Sequence, residues 1–261
     1  MKKAFKCLIL IISVIMLSIS SHATSVSWYC IRNKNHEQPK LDKTLSVVEK
    51  YDVFWVDKAH DDISDDDKVI YLTFDAGYEN GNVEKIVDIL NKHEVKGGFF
   101  VLDNILTKNH SLIEKMIDGS HTIANHTARH RDMSKINSKE EFKAELEALE
   151  KLFEKEYGRK MVKLYRPPEG RFTEENLKWA SELGYKTVMW SFAYADWDND
   201  RQMSCESAKN KILENLHNGE IMLLHPTSST NAEIIEDLIV ELKNKGFRFG
   251  SLEELCYNDL A

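Results

Sequence analysis

The chain has 261 residues, 42% hydrophobic and 10% aromatic, enough for one domain of about 200 residues with a full core and no need of staples. Its 35 Lys and Arg face 43 Asp and Glu, a net charge of −8, and no basic stripe is present, which argues against a nucleic-acid partner. There is no internal repeat and no low-complexity tract.

Lys2, Lys3 and Lys6 precede an apolar run from Cys7 to Ile19, and Ser21-His22-Ala23 follows. A charged start, a short apolar stretch and a small-x-small site read as a secretory signal over residues 1–23. The run falls short of the roughly 20 residues a spanning helix needs, although an uncleaved membrane anchor is the alternative. Loss of the leader would leave 32 basic residues against 43 acidic ones, near −11, and three cysteines, Cys30, Cys205 and Cys256. An odd, widely spaced set gives neither a disulfide framework nor a zinc knot, so one bridge with a spare thiol and three free thiols both stay open.

Residues 24–67 read as an N-terminal extension, with a short helix over Leu41 to Lys50, an accessory strand over Tyr51 to Val56 and a solvated acidic loop from Asp57. Residues 68–261 read as the main domain. Lys68-Val-Ile-Tyr-Leu-Thr-Phe74 is apolar and β-branched without a breaker, a buried parallel strand. It runs into Asp75, Ala76 and Gly77, and a helical repeat of Val83, Ile86, Val87 and Leu90 follows. Further strands are expected at Gly97 to Leu102, Thr122 to Asn125, Lys163 to Arg166, Thr187 to Ser191, Ile221 to His225 and Phe247 to Phe249. Helical stretches separate them. One of these opens on Ser138-Lys-Glu-Glu141, which reads as a capping box, and closes at Gly158. This α/β alternation predicts a deformed, incompletely closed (β/α) barrel of about seven parallel strands, because polar residues follow many successive strands as if around a ring.

Those polar residues are Asp75, then His126 and His130, Arg166, Asp196 with Trp197, and His225. Two imidazoles at i and i+4 suit a divalent metal if the loop turns helical there. Tyr165-Arg-Pro-Pro-Glu-Gly170 sets a rigid backbone beside a cationic fork. Trp190-Ser-Phe-Ala-Tyr-Ala-Asp196-Trp197 supplies aromatic surface and an acid, with Trp190 itself read as core. A histidine closing the apolar Ile221 strand can act as an acid or base. His93, His110, His121 and His217 carry no such context and read as surface or loop residues.

With these residues in view the chain resembles the NodB-homology polysaccharide deacetylases, the family 4 carbohydrate esterases. The ordered motifs are Thr73-Phe-Asp-Ala-Gly77, His126-Thr-Ala-Arg-His130, Arg166-Pro-Pro-Glu-Gly170, Ala195-Asp-Trp197 and Leu223-Leu-His225. Over about Trp28 to Leu255 it is most similar to the spore-cortex N-acetylmuramic acid deacetylases that lead to muramic δ-lactam. Asn33-Lys-Asn-His-Glu37, Phe74 to Gly81 and Trp190 to Trp197 carry that likeness. The resemblance implies a metal-dependent amide hydrolase acting on the peptidoglycan glycan strand; a monomer is expected, although the sequence itself does not fix the oligomeric state. It would work outside the cytoplasm, at the cell wall or in the forespore intermembrane space of a Gram-positive spore former.

Asp75 would be the general base, His126 and His130 the metal ligands, and His225 the general acid. Arg166 and Asp196 would orient Asp75 and His225, in an order the sequence leaves open. The Glu169 backbone N–H would face the oxyanion, and Trp197 and Leu223 would line the acetyl pocket. The departure is Ala76, where most of the family carries an Asp as third ligand. Zinc is the expected metal, with the third position left to water, substrate or one of Glu79, Asn80, Asn125 and Asp132. N-acetylglucosamine deacetylation and a non-catalytic glycan-binding role are the rival readings.

Overall fold

The computed structural model describes residues 24–32 and 35–257, so the expected leader over 1–23 lies outside the described residues. In chain order the elements are β1 (Val26–Ser27), β2 (Val53–Phe54), β3 (Lys68–Ala76), α1 (Asn82–Lys92), β4 (Gly98–Val101), α2 (Asp103–Lys108) and α3 (His110–Asp118). Then come β5 (Thr122–Asn125), α4 (Lys139–Tyr157), β6 (Leu164–Tyr165), β7 (Arg171–Phe172), α5 (Glu174–Glu182) and β8 (Lys186–Val188). The chain continues through α6 (Cys205–Asn215), β9 (Glu220–Leu224), α7 (Ser229–Asn244), β10 (Phe247–Phe249) and α8 (Leu252–Tyr257).

Seven parallel strands curl in the order β9-β3-β4-β5-β6-β8-β2, and β10 lies parallel against the first residues of β3. The curl comes back on itself only through isolated bridges, Phe192 to Met222 (parallel) and Val56 to Glu220 (antiparallel), so no continuous strand pairing closes the barrel there. β2 belongs to this sheet although it precedes the stretch read as the main domain: Val53 and Phe54 pair with Thr187 and Val188.

Strand alternation sorts the side chains into two layers. Ile70, Leu72, Phe74 and Ala76 pack outward with the apolar faces of α1, α3 and α7, while Val69 and Tyr71 face the barrel interior with Phe100, Ala124 and Ile221. On α1 the buried residues are Val83, Ile86, Val87 and Leu90, the stripe expected from their spacing. Gly158 ends α4 in the left-handed region at φ 65°.

Some local expectations change in the fold. Ser138 Oγ accepts from the Glu141 N–H at 3.2 Å, but the Glu141 carboxylate turns to Arg131, 2.7 Å away. The reciprocal pair of a capping box is found instead at Thr173 and Asn176 on α5. His121 and His217 are core residues, not surface ones, and burial pushes both down to about 4. His121 Nδ1 accepts from the Gly97 N–H, and its ring stacks edge-on against Phe99. His217 bridges the Asn218 carbonyl and Ser191 Oγ. Helix α8 is short and was not expected from its spacing. It packs Leu252 onto β4, where a Cβ on Gly98 would lie 2.3 Å from Leu252 Cδ1, so any side chain at this strand position would have to displace Leu252. Cys30, Cys205 and Cys256 are free thiols. Among the described residues no helix is long and apolar enough to cross a membrane.

Candidate active site

The carboxyl ends of the parallel strands open on a cleft of about 700 Å³, lined by Asp75, His126, His130, Glu169, Trp197, Leu223 and His225 among others. Parallel βα units place successive loops at this one end, so residues 150 positions apart meet there.

Asp75 stands one residue before the end of β3. Its Oδ1 accepts from Arg166 Nη1 at 2.9 Å, and Oδ2 lies 3.5 Å from His126 Nε2. Arg166, just past β6, is wholly buried. Nε donates to the Val188 carbonyl at 2.9 Å, and Nη2 donates to Thr73 Oγ1 at 2.9 Å and to the Met189 carbonyl at 3.1 Å. Its guanidinium also lies 4.1 Å from the centre of the Phe100 ring. So fixed, the charge serves Asp75. Burial pushes the Asp75 carboxyl up, but the neighbouring charges of His126 when protonated, Arg166 and His225 outweigh this and hold it below the usual carboxylate range.

His126 Nδ1 faces the Arg166 carbonyl at 2.9 Å, which can only accept, so Nδ1 carries the proton and Nε2 presents a lone pair. Burial pushes this imidazole down to about 4, leaving it neutral. The loop to His130 is not helical, contrary to the condition attached to the i, i+4 spacing. Thr127 and His130 take positive φ values of 70° and 55°, and this irregular turn brings the two rings edge to face at 5.1 Å.

His225 follows β9. Its Nδ1 donates to Asp196 Oδ1 at 2.7 Å, and its backbone N–H donates to Asp196 Oδ2 at 2.8 Å. Burial opposes a charge on this ring, but the hydrogen bond and charge of Asp196, with Asp75 beyond, prevail and hold its pKa above the ordinary value. The order left open by the sequence is thus resolved: Arg166 holds Asp75, and Asp196 holds His225.

Glu169 sits at φ 56° in the turn set by Pro167, Pro168 and Gly170, on the cleft wall. Leu223 forms part of the floor, and Trp197 stands 63% exposed on the lip. Trp190 is half-buried: it packs against the core, as expected, and also lines the cleft, with its carbonyl accepting from Trp28 Nε1 and Cys30 Sγ. Tyr78, Ala193, Tyr194 and Thr227 also line the cleft. Tyr78 had a visible signal in its place three residues after Asp75, whereas Thr227 had none.

Ala76 is buried in the apolar layer with Phe74 and Val101 and does not line the cleft. The other candidates for a third ligand are engaged locally. The Glu79 carboxylate accepts from the N–H groups of Gly81 and Glu84 at the start of α1. Asn80 bonds Thr227 and Asn82, and Asn125 bonds Leu146 and Thr127. Asp132 takes Ser134 and Arg171. Among the described residues no three His, Cys, Asp or Glu side chains are grouped to hold a metal. The donor set that does fit is two imidazoles, His126 with its lone pair already aimed into the cleft and His130 beside it.

The sequence profile of the polysaccharide deacetylases matches residues 62–188. The chain is 37% identical over 233 residues to the peptidoglycan-N-acetylmuramic acid deacetylase PdaA of Bacillus subtilis (strain 168), covering 89% of this chain and 86% of that one. It is 31% identical over 190 residues to a peptidoglycan-N-acetylglucosamine deacetylase of Bacillus cereus, covering 71% and 67%. The solved structure of Bacillus subtilis PdaA, a family 4 carbohydrate esterase, superposes with a TM-score of 0.82 at 36% identity over 90% of this chain and 98% of that one. With a carboxylate held by a buried arginine, an imidazole held by a buried aspartate and two further imidazoles on one cleft, this chain belongs to the polysaccharide deacetylase family, hydrolases acting on amides.

Proposed function

We propose that the protein removes the acetyl group from N-acetylmuramic acid in peptidoglycan strands freed of stem peptide, a step leading to muramic δ-lactam in spore cortex. One observation carries the chemistry: Asp75 on Arg166 and His225 on Asp196 face each other across one cleft. The choice of sugar rests on the likeness to PdaA over nearly the whole chain. Action outside the cytoplasm rests on the leader-like first 23 residues.

In this reading the ionised Asp75 takes a proton from the attacking water. The Glu169 backbone N–H, presented by the strained Pro-Pro turn, meets the oxygen that gains charge. His225 uses Nδ1 on Asp196, so Nε2 is the nitrogen left for the cleft, and it protonates the departing amine as the C–N bond breaks. Leu223 and Trp197 bound the acetyl group and the sugar face. His126 and His130 would hold a divalent cation, with zinc the first choice for imidazole ligands. Such an ion, when bound, polarises the amide carbonyl and lowers the pKa of water.

Mass spectrometry of defined glycan strands, with and without stem peptide, tests the proposal. Expected is loss of acetyl from N-acetylmuramic acid only where the peptide is absent, with loss of one water on ring closure, since the lactam needs a free lactyl carboxyl. Deacetylated glucosamine as the main product would move the protein to the other sugar. Binding of strands without release of acetate would make it a glycan-binding relative.

A further inference from the structure

His225 and Asp196 do not stand alone. Asn231, in the first turn of α7, is fully buried behind them. Its Nδ2 donates to Asp196 Oδ2 at 2.6 Å and to the His225 carbonyl at 3.0 Å. Both partners are oxygens that can only accept, so the amide orientation is set by chemistry: the NH₂ faces the pair and Oδ1 faces away. Oδ1 in turn accepts from the hydroxyl of Tyr194, a buried residue of the cleft wall. Burial pushes the Tyr194 hydroxyl far up, so it stays a neutral donor. The Asn231 backbone N–H donates to Ser228 Oγ at 3.1 Å, which ties the side chain to the helix start.

One carboxylate oxygen of Asp196 thus meets two donors, the His225 N–H and Asn231 Nδ2, while the other takes His225 Nδ1. Without the amide, Oδ2 would keep only the His225 N–H as donor in a buried setting, and the carboxylate would be held less firmly about its last torsion. The imidazole ring turns with it, since Oδ1 is the oxygen that holds Nδ1. The His225 backbone carbonyl would lose its bond to Asn231 at the same time.

We propose that Asn231, braced by Tyr194, is a positioning residue that fixes the Asp196 carboxylate and so aims His225 Nε2 at the leaving amine. None of the family motifs contains Asn231; the fold brings α7 behind the pair. The proposal rests on the reading of His225 as the general acid. It predicts a loss concentrated in the chemical step, because Asn231 is buried behind the pair and does not line the cleft.

The test uses the full chain loaded with divalent cation, peptide-stripped glycan strands and measured acetate release. Asn231→Leu, near in size but unable to donate, is expected to lower kcat about 10- to 100-fold, the loss of one hydrogen bond to a charged group, with KM within about twofold. Tyr194→Phe keeps the amide and loses only its brace, for a drop of roughly 3- to 10-fold. Low-temperature proton NMR supplies a readout independent of turnover. The wild type should show a downfield resonance from the His225 Nδ1 proton, absent in His225→Ala and lost or broadened in Asn231→Leu. If Asn231→Leu fails to fold, Tyr194→Phe decides by the same two measurements. Wild-type kcat with the resonance intact in both variants overturns the proposal. Full activity in His225→Ala overturns instead the reading of His225 as the acid. A wild type that releases no acetate sinks the choice of substrate, and the resonance comparison then decides the role of Asn231.

Discussion

Glu220 opens β9 at the far end of the strand from His225, and its replacement by Gln should make the protein more stable at neutral pH. The side chain is fully buried. Alternation puts it on the face of Met222 and Leu224, between sheet and helices. Oε2 accepts from the His217 N–H at 3.2 Å, and Oε1 has no partner among the described residues. Burial pushes this carboxyl up from 4.5 to about 8, against the weaker pull of the His217 bond. A group whose folded pKa is raised contributes stability that is fully present below its unfolded value and is lost as pH rises through the folded one. Between pH 4.5 and about 8 the unfolded chain is ionised at Glu220 while the folded chain still holds the proton. Each unit costs about 1.4 kcal/mol, so the native side chain gives up roughly 3 kcal/mol by pH 7. Gln keeps the shape without the titration, although its NH₂ adds an unpaired donor costing about 1 kcal/mol or more. The expected net gain is about 2 kcal/mol at pH 7, or roughly 4–8 °C in Tm. Urea unfolding of both proteins at pH 4.5, 7 and 8.5 measures it. The gap should be near zero or reversed at the lowest pH and widen upward. A gap independent of pH would refute the reasoning, because packing differences do not titrate.

Asp75→Asn should lower turnover by about 10²–10⁴, since an amide cannot take the proton from water, with the circular dichroism of the fold retained. Near-normal turnover would remove Asp75 as the base. His225→Ala should slow turnover while metal content by mass spectrometry stays that of the wild type; loss of the metal would place His225 among the ligands. In the wild type kcat should fall as pH rises through the raised pKa of His225, and that alkaline limb should vanish in His225→Ala. His126→Ala should abolish divalent binding in a calorimetric titration, because among the described residues His130 is the other imidazole lining the cleft beside it; unchanged affinity would relocate the site.

Much of the architecture was legible from pattern alone. Unbroken apolar strands such as Lys68 to Phe74, alternating with helical stripes such as Val83 to Leu90, dictate parallel βα units, and parallel units bring their carboxyl-end loops to one rim. That is why Asp75, His126, His130, Arg166, Asp196 and His225 could be named as one group before their distances were known: each follows an apolar strand or a distinctive motif. The tertiary structure alone decided the pairings. Arg166 and Asp196 are each one charged side chain in sequence, and only the barrel puts the first 2.9 Å from Asp75 and the second 2.7 Å from His225. It also decided what became buried. His121, His217, Glu220 and Asn231 stand in polar or mixed stretches whose local spacing gives no inward direction, and neighbours far away in the chain enclose them. A helical spacing of His126 and His130 suggested a helix, yet positive φ values at Thr127 and His130 bring the rings together instead. Periodicity reports which face of a regular element turns inward; it carries no information on irregular loops or on contacts between residues 30 to 150 positions apart, and those are the contacts of which this cleft is made.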